Sequence, residues 1–267
     1  MDLRLTDARI IVTGGASNIG RGIVHGFARE GARVLIADID GAQAGLVQDE
    51  ALAAGAADAR ISVADLTQRG TAIEVVGTAV SAWGGLDVLV NNAGWSFGEF
   101  LAVDDDRARW QRLVDINVFA AVDMTREAVK AMRADDTAGG SVVFVSSEAA
   151  FGQIRQGVYG GTKAAEIAIA RTTAREHGRH GIRSNVVCPG LVTPDGPEAV
   201  GARSLWAGGT DAVFNDKQID YLLKDTPMGR LTLAEDIANA VLWLASDAAA
   251  RQVTGQVISV SGGYTMP

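Results

Sequence analysis

The chain has 267 residues, 48% of them hydrophobic and 21% charged, the balance of a globular protein long enough to bury a substantial core. Its formal net charge of −8, without any long basic run, argues against a nucleic-acid partner, and its single cysteine excludes an intrachain disulfide. No apolar stretch approaches the ~20 residues that cross a bilayer, and the residues before Ala8 lack a basic leader with an apolar core, so a cytoplasmic protein is expected.

In chain order, β-branched runs at 9–12, 33–37, 59–63, 87–90, 141–145, 183–187 and 256–260 read as strands. Helical patterns occupy 19–29, 43–54, 68–83, 108–133, 158–176 and 234–244. Continuous apolar strands separated by helices require a parallel sheet covered on both faces. Right-handed crossovers make it a doubly wound α/β sheet of the Rossmann type, about seven strands in a single domain over 1–267. Only 195–227 breaks the rhythm, and its prolines and glycines around scattered aromatics read as a substrate lid.

The first strand runs into Thr13-Gly14-Gly15-Ala16-Ser17-Asn18-Ile19-Gly20, which opens the first helix. Glycines there let the backbone approach a pyrophosphate, and the free N–H groups of the helix start stabilise its charge. Asn18 stands where a glycine is usual, and asparagine tolerates the left-handed backbone the turn needs. Asp38 ends the second strand, eighteen residues after Gly20. A carboxylate there can accept bonds from both adenosine-ribose hydroxyls and repels a 2′-phosphate, which favours NAD over NADP. The competing reading is an aspartate that only caps the helix beginning near Gly41.

Tyr159 and Lys163 lie four residues apart, on one face of a helix. A phenol titrates near ~10, and a neighbouring ammonium lowers that value by stabilising the phenolate. Such a pair can move a proton to or from oxygen, although Tyr-x-x-x-Lys also arises by chance on helix surfaces. Ser146 and Ser147, upstream, supply a hydroxyl for the reacting oxygen. Cys188, in an apolar run, reads as a buried structural thiol, and His25, His177 and His180 show no metal-ligand spacing, so no metal is expected.

The combination resembles the short-chain dehydrogenase/reductase family across essentially the whole chain. The resemblance rests on Thr13-Gly14 with Gly20, Asp65, Asn91-Asn92-Ala93-Gly94, Asn117, Ser146-Ser147, Tyr159 with Lys163, Pro189-Gly190 with Thr193, and Gly255-Gln256. It implies a catalytic set of Asn117, Ser147, Tyr159 and Lys163. Tyr159 would be the acid or base, Lys163 would hold the nicotinamide ribose, and Asn117 would position a relaying water. Ser147 would bind the reacting oxygen, yet it lies twelve residues before Tyr159 where the family commonly has thirteen, the position of Ser146. Strand alternation lets only one of them face the site, and Ser147 is favoured. NAD would be held by Gly14, Asn18, Ile19 and Gly20 at the pyrophosphate and by Asp38 at the ribose. Asp65 and Leu66 would flank adenine, and Asn91, Ala93 and Gly94 would support the centre. Pro189, Gly190, Val192 and Thr193 would line the nicotinamide.

Trp95, Glu148, Gln153 and Arg155, with the lid's Trp206, Phe214 and Tyr221, are candidate substrate contacts. Their aromatic content suits a mid-sized, partly apolar secondary alcohol or ketone, whether cyclic, aryl or hydroxyacyl. The lid aromatics can equally pack on the protein alone, and Arg155 can be a solvated surface arginine. Apolar positions in excess of one sheet face, among them Val118, Ala121, Val122, Ala165, Ile169 and Ala170, suit helix packing across a two-fold axis. The family adds the expectation of a homotetramer, with a dimer next. The competing function is a dinucleotide-binding sensor or structural subunit that has lost the chemistry.

Overall fold

The computed structural model describes residues 2–134, 139–209 and 216–267. Its β-branched runs form β1 (Arg9–Thr13), β2 (Arg33–Asp38), β3 (Asp58–Val63), β4 (Val88–Asn91), β5 (Gly140–Val145), β6 (Ile182–Pro189) and β7 (Val257–Val260). They make one seven-stranded sheet in the order β3-β2-β1-β4-β5-β6-β7, with every neighbouring pair parallel. The order runs outward from β1 on one side and from β4 on the other. A crevice therefore opens at their carboxyl ends, beside Thr13 and Asn91, where such sheets hold ligands.

The helices are α1 (Asn18–Arg29), α2 (Gly41–Ala53), α3 (Thr71–Trp83), α4 (Arg107–Val114), α5 (Ala120–Met132), α6 (Gly157–His177), α7 (Asp216–Asp225), α8 (Ala234–Ala245) and the short α9 (Asp247–Ala250). On one face, α1, α2 and α8 bury Ile23, Phe27, Val47, Ile237 and Val241 against Val12 and Ile36. On the other, α3, α5 and α6 bury Val75, Met124, Ile167 and Ala170 against Leu35, Leu89 and Phe144. Gly22 lets α1 and α8 approach closely, since a Cβ there would come within 2.8 Å of the Ala234 methyl. Arg183, only 6% exposed, ties the end of α8 to the sheet by donating to the carbonyls of Leu244 and Ala245 at 2.6 and 3.0 Å.

Three sequence expectations change. The segment 108–133 is not one regular α-helix: α4 and α5 are joined without a break by a π-helical turn, Asp115–Phe119, in which Asn117 is buried. The segment 195–227, read as a lid with no secondary structure assigned to it, contains α7 and a short 3₁₀ turn at Pro197–Ala199. Within it, Phe214 lies outside the described residues. Ala121 and Ala170, expected on an outer helix face, are buried in the core of the single chain at 6% and 0% exposure.

Candidate active site

The glycine turn is held from beneath by two side chains. The Asn92 amide donates to the carbonyls of Thr13 and Gly14 at 3.0 and 2.9 Å, and the Thr13 hydroxyl accepts from the N–H groups of Asn92 and Ala93, both at 3.0 Å. Gly14 has φ +61°, and a Cβ on it would lie 2.8 Å from the Cα of Ala93. A Cβ on Gly20 would collide with the Gly14 carbonyl and the Asn92 amide. Asn18 does adopt the left-handed conformation, at φ 43°, and its amide donates to the Val192 carbonyl at 3.2 Å. That bond joins the turn to the loop after β6, across the mouth of the crevice.

Ser17, the residue that starts α1, keeps a buried hydroxyl without a partner beside the first helical N–H groups. An orphaned donor there fits a phosphate oxygen. At the end of β2, one Asp38 oxygen accepts from the Ala16 N–H and the other from the Asp40 N–H, each at 3.0 Å. Burial pushes its carboxyl upward, against the pull of those main-chain bonds. The helix cap at α2 is made by Asp40, which accepts from the Gln43 N–H at 3.2 Å, so Asp38 is not spent on capping. Asp65 binds the N–H and hydroxyl of Thr67 at 3.0 and 2.7 Å, and Leu66 packs against the core beside it. Ile19, by contrast, packs on the α1 side of the sheet. The cradle therefore fits a dinucleotide in shape and donor chemistry.

At the ends of β4, β5 and β6 the expected catalytic residues meet. The Asn91 amide donates to the Thr125 hydroxyl at 2.9 Å. The Ser146 hydroxyl donates to the Lys163 carbonyl at 2.8 Å and is committed to the helix backbone. Ser147 accepts from the Ala149 N–H at 3.1 Å. Tyr159 and Lys163 share a face of α6, as their spacing requires. The Tyr159 phenol, however, is shifted upward overall: burial outweighs the downward pull of the Lys163 ammonium and of Ser147. A downward shift was expected from the cation alone, and desolvation of the phenolate reverses it.

Asn117 is fully buried and its side chain is wholly engaged. It accepts from the Trp95 N–H and donates to the Trp95 carbonyl and the Thr162 hydroxyl, all at 2.9 Å. Lys163 donates to the Val145 carbonyl at 2.9 Å and to Glu166 at 2.7 Å. Gly94 lies against both, because a Cβ on it would sit 3.3 Å from the Asn117 oxygen and 3.4 Å from the Lys163 Nζ. Pro189 ends β6, the Gly190 N–H donates to the Val260 carbonyl at 3.0 Å, and Val192 bridges to Thr232, with Thr193 next in the chain.

The substrate candidates separate into two groups. Glu148, Gln153 and Tyr221 gather around Tyr264: its hydroxyl lies 3.5 Å from the Gln153 oxygen, while burial and, to a lesser extent, Glu148 and Tyr221 push its phenol upward. Tyr264 was missed in the sequence because nothing around it marks a site. Burial lifts the Glu148 carboxyl to about 7. Arg155 instead reaches the Gly98 carbonyl at 3.4 Å and lies 5.5 Å over the Phe100 ring, and Arg112 covers Trp95. Trp206 is buried at 8% exposure whereas Tyr221 is 64% exposed, so only the latter projects freely from the lid. Thr13, Asn92 and Glu166 were also not among the expected site residues, although Asn92 lies inside the Asn-Asn-Ala-Gly motif.

The family model described as enoyl-(acyl carrier protein) reductase matches residues 14–265. Sorbitol dehydrogenase of Cereibacter sphaeroides is 33% identical, covering 99% of this chain and 100% of its own. A short-chain type dehydrogenase/reductase from Mycobacterium ulcerans superposes with a TM-score of 0.87 at 32% identity, covering 97% of this chain and 90% of that one. A 7α-hydroxysteroid dehydrogenase complexed with NADH and 7-oxo glycochenodeoxycholic acid gives 0.87 at 32% identity, covering 98% and 96%.

Proposed function

This chain belongs to the short-chain dehydrogenase/reductase family, and from that premise we propose that it transfers a hydride between NAD and a secondary alcohol or its ketone. The observation that carries the reading is the convergence of three residues: Tyr159 and Lys163 share a face of α6, Lys163 is fixed by the Val145 carbonyl at the end of β5, and burial raises the Tyr159 phenol while Lys163 and Ser147 draw it down. When bound, the dinucleotide supplies the hydride acceptor or donor. Ser147 holds the reacting oxygen, and Tyr159 takes its proton in oxidation or returns it in reduction. Lys163 has one N–H left after Val145 and Glu166, enough to bind a ribose hydroxyl. Because the Asn117 side chain is spent on Trp95 and Thr162, its main-chain carbonyl is the group left to hold a relaying water.

NAD is preferred over NADP in this reading because Asp38 presents a half-buried carboxylate where a 2′-phosphate would sit. The substrate is mid-sized and partly apolar, held between the Trp95 loop and the group around Tyr264, with 195–227 as its lid. Relatives named for sorbitol and for a hydroxysteroid support an alcohol substrate of that range. A non-catalytic sensor of the same fold would be free to lose the proton-transfer groups, and all four are present here. A panel of cyclic and aryl secondary alcohols, assayed by cofactor reduction with NAD and NADP separately, tests the proposal. Turnover with NAD and a kcat/KM well above that for NADP is expected; equal values for both cofactors would overturn the choice of NAD, and no turnover with any alcohol would favour the sensor.

A further inference from the structure

Glu166 is an unusual residue to find beneath this site. It is 2% exposed on the inner face of α6, and one of its oxygens accepts from Lys163 at 2.7 Å. Its other oxygen is buried without a partner, so the carboxylate is held by Lys163 alone among the described residues. Burying a carboxylate costs several kcal/mol unless a cation faces it, and removing one member of such a pair strands the other. The pair therefore fixes where Lys163 sits and how much of its charge reaches Tyr159.

We propose that Glu166 is a positioning residue that acts through Lys163, anchoring the ammonium in the core and moderating its pull on the Tyr159 phenol. The inference rests on the dehydrogenase reading for its purpose, though not for its physics. Lys163 stands between the two groups, one turn from Tyr159 and bonded to Glu166. An ammonium already neutralised on one side stabilises a phenolate less than a free one.

The surrounding elements add little competing charge. Cys188 on β6 bears on all three groups; burial lifts its thiol to about 11, so it is neutral at neutral pH and ionises alike in the wild type and the variants during the phenol titration. The end of β5 presents Ser146 and Ser147, and the π-helical turn presents Asn117, none of them charged. Asp115 of that turn accepts from Gln111 on the exposed side. On α4, Arg109 binds Asp104 and Arg112 lies over Trp95. In the protein itself, Glu166 raises the Tyr159 phenol while Lys163 lowers it.

The chain has only three tyrosines, so the phenolate of Tyr159 can be followed by absorbance near ~295 nm without substrate or cofactor. Each titration is corrected by the same protein carrying Tyr159→Phe, with pH-jump mixing to read the phenolate before alkaline unfolding. Glu166→Gln keeps the volume and an acceptor for Lys163 and removes the charge. Its Tyr159 should ionise about 0.5–1 pH unit lower than in the wild type. Glu166→Asp, which keeps the charge one methylene further away, should shift in the same direction by less, and it decides the matter alone if the glutamine variant does not fold. A Tyr159 titration unmoved in the folded variants would overturn the proposal. Because no turnover is needed, absence of dehydrogenase activity would refute the function without touching this result. Where the enzyme is active, the pH at half-maximal kcat/KM for alcohol oxidation should fall by the same amount, a movement that a purely structural ion pair would not produce.

Discussion

Ser146 and Ser147 are neighbours with opposite commitments. Ser146 donates to the Lys163 carbonyl and is 4% exposed, whereas Ser147 faces the Tyr159 phenol. Ser147→Ala and Tyr159→Phe should each lower kcat by ~10²–10⁴-fold while NAD affinity, read by cofactor fluorescence, stays nearly constant. Ser146→Ala should instead cost about 1 kcal/mol of stability by denaturant titration, with a much smaller effect on kcat. Substantial turnover by a folded Tyr159→Phe protein would remove Tyr159 from its proposed role. Glu148 makes a pH-dependent prediction. Burial raises its folded carboxyl from 4.5 to about 7, so folding takes up a proton between those values. Its contribution is favourable below pH ~4.5 and is lost as pH rises toward ~7. Glu148→Gln should therefore gain Tm relative to the wild type between pH 5 and 8, measured by calorimetry at both; a constant difference would mean that the carboxylate is solvated or paired. At this scale the sequence was legible where a residue type has few other uses in its place, as with Tyr159, Lys163 and Asn18. Glu166 was not, because on the chain it reads as one more polar position of a helix, and only the three-residue step back to Lys163 within the fold shows it buried.

The elements followed their periodicity closely. All seven strands form where β-branched runs stand, and the loss of pattern came where two signals overlap. The π-helical turn at Asp115–Phe119 keeps a helical hydrophobic pattern on both sides, so a single helix was the natural reading of 108–133. In α7, the run Asp-Lys-Gln-Ile-Asp-Tyr-Leu-Leu-Lys-Asp is amphipathic, but the glycines and prolines around it dominated. The turn between β1 and α1 is the element most sensitive to a single methyl group. Gly20→Ala would push a Cβ into the Gly14 carbonyl and the Asn92 amide. NAD binding should weaken by roughly tenfold or more in Kd, about 1.4 kcal/mol, measured by calorimetric titration. An unchanged Kd would show that the turn can open without disturbing the cofactor cradle. The far end of the sheet gives a separate test of stability. Arg183→Met removes two bonds to the carbonyls that end α8 while keeping most of the buried stem, and should cost about 2–3 kcal/mol in denaturant unfolding.

Between α5 and α6 lies an apolar groove of about 750 Å³. Val122, Val129, Ala168 and Ile169 form its floor, and Arg126, Lys130, Arg133, Glu176 and His177 rim it. Two of the residues once assigned to an outer face, Ala121 and Ala170, belong to the core, but Val122 and Ile169 remain available. The rim carries both signs of charge, which suits a self-complementary contact across a two-fold axis. Helices that meet there can interdigitate side chains, as packed surface helices do. We expect a homo-oligomer built on this face, a tetramer or, next, a dimer, with the crevices left open to solvent. Ile169→Asp places a charge in the groove at the edge of the α5–α6 core, where it should block association at a modest cost in stability, checked by denaturant unfolding. Light scattering should then report a smaller particle than the wild type, with NAD affinity retained. A wild-type chain that is monomeric at micromolar concentration would overturn the expectation, and so would an Ile169→Asp protein that is folded and unchanged in mass.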